Sequence, residues 1–214
     1  MQSIPLYQWH RLTVYCGISA FTAYFLAAFA PLPDKVALIL AFSFGPLFML
    51  CSVGLFYVLK EWKDSINLRI AALFNIVATA LVTLMLVVQL TGHAFHERYQ
   101  GLERGSVSTE QLNWIFKEVN AVQLGMDVAW DIFISAGTFL FALVMFNHPL
   151  INKIISVLGM VFSVVLLGFN FTYFPEPPAE AGSMDFGPLV ALWYLALMLW
   201  LIVQRKKFQT DRTI

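Results

Sequence analysis

Long apolar runs alternate with short polar breaks along the whole chain. Six stretches have the roughly 20 residues that a helix needs to cross a bilayer core of about 30 Å. They run from about Leu12 to Ala30, Val36 to Leu59, Ile70 to Thr91, Val119 to Phe146, Asn152 to Tyr173 and Phe186 to Gln204. Within them apolar residues are continuous and do not alternate with polar ones. Helices are therefore predicted, not the short strands of a membrane barrel. The expected fold is all-α: an integral membrane bundle of six transmembrane helices, forming one domain over residues 1–214.

Composition closes off the competing classes. Of the 214 residues 59% are hydrophobic and 12% charged, about half the usual charged share. A soluble domain of this size cannot hide that much apolar surface. This excludes a soluble enzyme, a disordered chain and a nucleic-acid binder, and makes the lipid bilayer the expected partner. Cys16 and Cys51 both fall inside apolar runs, so no disulfide framework is expected.

The formal net charge is zero, yet the charges are sorted. Arg11, Lys60, Lys63, Arg69, Lys153, Arg205, Lys206, Lys207 and Arg212 fall on one side of the spans; Lys35, Arg98, Arg104 and Lys117 fall on the other. The positive-inside rule places both termini in the cytoplasm. Trp9, Trp62 and Trp200 then mark the inner interface and Trp114 the outer one. The first span ends in Ala28-Phe29-Ala30, the form of a signal-peptide cleavage site. It is longer than a signal h-region of about 7–15 residues, and Pro31 would follow the cut directly. Its retention is expected.

One connection is long, an outer loop from about Gly92 to Glu118. Inside it, Ser108-Thr109-Glu110-Gln111 has capping-box spacing, and Val107 with Leu112 would form a hydrophobic staple. A helix is expected from near Thr109, either running into the fourth span or lying separately on the membrane. A weak internal repeat also shows. Shifting the chain by 142 positions aligns Phe44-Gly45-Pro46-Leu47 with Phe186-Gly187-Pro188-Leu189. Either the first hairpin echoes the last, or both converge on helix-start and turn residues.

Two ionisable residues lie deep in a span, Asp127 and Asp131. Each costs about 2.5–3.5 kcal/mol to insert at a helix centre. Their spacing of four puts both on one face, and Asn120, Gln123, Ser135 and Thr138 extend the stripe. This face must turn to protein or to a water cavity. Partners are available on other spans: Asn75, Thr79, Thr83, Gln89 and His93 share an arc of the third, while Ser156, Ser163 and Asn170 repeat every seven residues in the fifth, with Gly159 between. Such seams suit helix contacts in which small residues permit close approach and amides bond across. The candidate ligand- or proton-binding residues are Asp127, Asp131, Asn120, Gln123, Asn75 and Asn170. The pair could relay protons, bind a cation, or hold an amine or hydroxyl ligand. The alternative is a hydrogen-bond network that only fixes helix register.

His93 and His96, three apart, are the candidate metal ligands, although the order is not that of a zincin. No cofactor is expected. No deep histidine pair suggests haem, no lysine lies in a span to carry a retinal Schiff base, and the Gly-x-Ser-x-Gly elbow is absent.

Gln123 to Thr138 (QLGMDVAWDIFISAGT) and Phe171 to Tyr194 (FTYFPEPPAEAGSMDFGPLVALWY) resemble a family of uncharacterised polytopic bacterial membrane proteins. The resemblance implies a bacterial inner-membrane setting, and the family has no assigned activity. It also implies that the aspartate helix and the proline-rich loop before the sixth span belong to the family pattern.

Three functions compete. A small binding or transport protein, homodimeric if it transports, predicts a hydrated pocket at the aspartates open to the outer side. An enzyme acting on a lipid or isoprenoid predicts an apolar groove beside the acids. A non-catalytic subunit or sensor predicts a dry interior with every amide paired. The first is favoured.

Overall fold

The computed structural model describes residues 4–99 and 108–210, the last three of these by backbone alone. Val107, Glu103, Arg104 and Arg212 therefore lie outside the described residues. All regular structure among them is helical: α1 (Leu6–Phe29), α2 (Asp34–Lys60), α3 (Ile66–Tyr99), α4 (Thr109–Met145), α5 (Lys153–Tyr173), α6 (Gly187–Val203) and the short α7 (Arg205–Thr210). α1 to α5 are long and apolar enough to cross a membrane, whereas α6 is apolar but has only 17 residues.

Local chemistry sets the helix ends. α1 stops before Pro31 and Pro33, and Pro33 caps α2, whose first turn carries Asp34. Ser108 and Gln111 form the capping box of α4. Asn152 Oδ1 accepts from the Ile154 N–H at 2.8 Å to start α5, and Asp185 Oδ1 accepts from the Gly187 N–H at 2.7 Å to start α6. α4 is one unbroken helix, so the separate interfacial segment is not formed. The stretch expected as an outer loop, 92–118, is mostly helix, because α3 continues to Tyr99 and α4 starts at Thr109. With 34 and 37 residues, these two helices are about 51 and 55 Å long at 1.5 Å per residue. That is well beyond the roughly 30 Å of a bilayer core.

The helices run up and down in a closed ring. Each packs on its sequence neighbours, and α6 returns against α1. The end where α1 begins and α6 ends, with the α2–α3 and α4–α5 turns, is here called the base; the end with the α1–α2 and α5–α6 turns, where α3 ends and α4 begins, is the rim. α6 sits deepest. Tyr194, Leu197, Met198 and Leu201 are all but inaccessible, and Tyr194 lies edge-on to Phe48 of α2. Small residues allow the close approaches: a Cβ on Gly159 would stand 2.6 Å from the Trp193 ring, and one on Gly137 would strike the Asn75 side chain.

Polarity is inverted relative to a soluble bundle. Phe25, Phe29, Ile39, Ile154, Phe171 and Val203 point outward, while Thr13, Ser52, Asn75, Thr79, Thr138, Ser156 and Asn170 are buried. The proposed repeat has no structural counterpart at its best-matched motif. Pro46 lies in the middle of α2, but Pro188 opens α6.

Candidate functional site

The structure divides the sequence-derived candidates among three levels. Nearest the base, Asn75 Nδ2 of α3 donates to the Tyr194 hydroxyl at 2.6 Å, and that hydroxyl lies 2.9 Å from Thr138 Oγ1 of α4. Asn75 therefore belongs to a layer joining α3, α4 and α6, and it does not touch the aspartates. Its own Oδ1 is buried without a partner.

Two turns nearer the rim on α4, Asp131 is 5% exposed and meets α5. Asn170 Nδ2 donates to Asp131 Oδ2 at 2.8 Å and to the Leu166 carbonyl at 3.0 Å. The amide of Asn170 is inaccessible, and its Oδ1 has no partner; nor has Ser135 Oγ, one turn below Asp131 on the same helix. Native proteins leave few buried polar atoms unpaired, so each calls for an explanation. Asp127, one turn above, is half-buried. Asp185 and Glu180 of the α5–α6 loop lie close enough to act on it electrostatically, and Tyr24 of α1 feels both Asp127 and Asp185. The ion pairs among the described residues are Lys60–Asp64 and Arg69–Asp64, both at the base. Among the described residues no cationic side chain is paired with the buried acids.

The third level is the α3–α4 hairpin. Asn120 and Gln123 line a narrow cleft with Gln89, His93 and Phe116. Its free volume, about 10 Å³, is near the minimum that admits one water. His93 and His96 both lie against the Phe116 ring, with centroids 5.9 and 4.3 Å away. Among the described residues no group of three or more histidine, cysteine, aspartate or glutamate side chains could hold a metal ion. The two histidines thus stand as a pair packed on an aromatic ring.

In the expected seams the amides of Asn75 and Asn170 do bond across helices and Gly159 does permit close approach, but the hydroxyls act within their own helices. Thr79 and Thr83 bond to carbonyls of their own helix, as does Ser163. They contribute close packing and no bonds across helices. Sequence reading missed Tyr194, Tyr24 and the local role of Asp185 and Glu180. A tyrosine inside an otherwise apolar span was the available signal, because a buried phenol needs a partner.

An all-helical, membrane-type bundle with a buried acid–amide pair beneath an acidic rim is the class that fold and site define. The family model described as a domain of unknown function (DUF4386) matches residues 16–204, and the chain belongs to that family. No curated protein and no solved structure was found to match it.

Proposed function

We propose that the chain crosses a bacterial inner membrane six times, with both termini in the cytoplasm, and binds or transports a small cationic ligand entering from the outer side at Asp131. The carrying observation is the Asp131–Asn170 pair: a buried carboxylate without a cation, bonded to an amide whose oxygen is buried and unpaired. A buried acid with spare acceptors suits a cation, and Asp127, Asp185 and Glu180 line its approach from the rim. Intramembrane acids mark ligand or ion pathways by default. The sixth crossing is supported by α6 itself, whose 17 residues give about 26 Å of helix. Transport through so small a bundle calls for a homodimer.

Two further observations weigh against the alternatives. A lipid enzyme needs an apolar groove beside its acids. One apolar groove, about 350 Å³, is lined by Leu38, Phe42, Leu90, Phe95 and Arg98 of α2 and α3, away from both aspartates. A purely structural role would leave the amide beside Asp131 fully paired, and Asn170 Oδ1 is not.

The test is thermal unfolding in uncharged detergent with sodium, potassium, magnesium, calcium or n-butylammonium chloride. At least one cation should raise the midpoint of the wild type and leave Asp131→Asn unmoved, since a ligand of the native state stabilises it by mass action. If none does, the reading is wrong.

A further inference from the structure

The geometry points to a ligand with two positive charges: we infer that this site takes a linear aliphatic diamine, one ammonium at Asp131 and the other at Asp127. The inference rests on the cation-binding reading above and names the class of cation.

The inner position is built for a primary ammonium. Such a group has one charge and three N–H donors. Asp131 spends one carboxylate oxygen on Asn170 and keeps the other. Asn170 Oδ1, on the amide that bonds Asp131, and Ser135 Oγ, one turn along α4, are both buried without partners and offer two more acceptors. One carboxylate and two neutral acceptors match one positive charge. They do not match a divalent metal, and no cluster of metal-ligating side chains is present among the described residues.

The outer position follows from helix geometry. Asp127 and Asp131 lie one turn apart on the same face, about 6 Å along the axis. An extended chain of four methylenes sets its terminal nitrogens about 6 Å apart, given bonds near 1.5 Å. Asp127 is half-buried, so its partner ammonium would be partly solvated. Asp185 and Glu180, exposed beyond it, add negative potential at the entrance.

The experiment compares ligands by thermal shift and by calorimetric titration in uncharged detergent. The ligands are the four-carbon terminal diamine, its two-carbon homologue and n-butylamine. The four-carbon diamine should bind about tenfold more tightly than n-butylamine, the worth of about one further favourable ion pair, and more tightly than the two-carbon diamine. Asp127→Asn should reduce it to the monoamine's affinity, and Asp131→Asn should abolish both. Equal affinity for the diamine and n-butylamine overturns the two-charge site and leaves the cation site standing. Binding of sodium with no response to either amine does the same. No response to any cation overturns both. Should either variant fail to fold, the chain-length preference of the wild type decides alone.

Discussion

At the base of the bundle most deep polar groups reach backbone carbonyls, Ser156 Oγ excepted. Trp193 Nε1 donates to Ile155 at 2.6 Å, Trp200 Nε1 donates to Leu150 at 2.8 Å, and His10 Nε2 lies 2.9 Å from the Leu201 carbonyl. Trp9 stacks on Tyr57 with ring centroids 3.9 Å apart. Toward the rim the chemistry changes. Asp131 has an amide for a partner, that amide keeps an unused oxygen, and Asp127 looks toward more carboxylates. Neutral side chains bonded to backbone would have sufficed to hold the helices at both ends. The rim carries instead a charge-bearing group that costs stability in a membrane. The base reads as a weld, and the rim as a place kept for something else.

That contrast breaks first, and hardest, at the layer between the two ends. A Cβ on Gly137 would run into the Asn75 side chain and stand 3.1 Å from its backbone nitrogen. Backbone cannot rotate aside, so Gly137→Val must push α3 and α4 apart. The expected loss is about 2–3 kcal/mol, seen as a lower unfolding midpoint in detergent. Gly125→Val, where nothing lies within 4 Å, is the control and should change little. Equal midpoints for the two variants would refute the close contact of α3 and α4.

Tyr194→Phe tests the same layer more gently. It removes the hydroxyl shared by Asn75 and Thr138 and strands a second buried atom on Asn75. Hydrogen bonds between membrane helices average about 0.6 kcal/mol, and a stranded donor adds to that. A loss of about 1–2 kcal/mol is expected. A loss below the error of the measurement would mean that the layer does not hold α6.

The base should show a pH dependence of its own. His148, in the α4–α5 turn, is 6% exposed beside Trp62, and burial depresses its pKa from 6.5 to about 4. The unfolded chain therefore takes up a proton that the folded one refuses. The stability linked to this group is full above pH 6.5 and falls as pH drops from 6.5 towards 4. With solvent screening allowed for, about 1 kcal/mol is at stake. His148→Gln should flatten that part of the stability profile. An unchanged profile would assign the acid sensitivity elsewhere.

Legibility differed between these regions for physical reasons. Apolar run length exposed the helices, because a span needs its length whatever its neighbours are. The capping box at Ser108 and Gln111 was readable because it is local. Asp127 and Asp131 were readable because a charge in a span is costly wherever it points. Their partners were harder. Asn75 and Asn170 sit on equally polar stripes, and only the packing of the ring decides that Asn170 meets Asp131 while Asn75 meets Tyr194. Ring closure by α6, which brings Tyr194 to the centre, depends on contacts far apart in sequence. The extension of α3 was hidden because polar residues such as Arg98 end an apolar run without ending a helix.

The smallest expected effect has the opposite sign and discriminates best. In Asp131→Asn the new amide still offers an oxygen to Asn170 Nδ2, and its nitrogen can donate to Asn170 Oδ1, which is unpaired in the wild type. Two buried amides can then satisfy each other, and the charge is gone. Without ligand at pH 7, the variant should be as stable as the wild type or up to about 1 kcal/mol more stable. A carboxylate retained only to fix helix register would lose stability when altered. A carboxylate kept for a ligand gains stability and loses binding, the usual exchange at functional sites. A variant that unfolds well below the wild type would make Asp131 a member of the weld, and the distinction between base and rim would collapse.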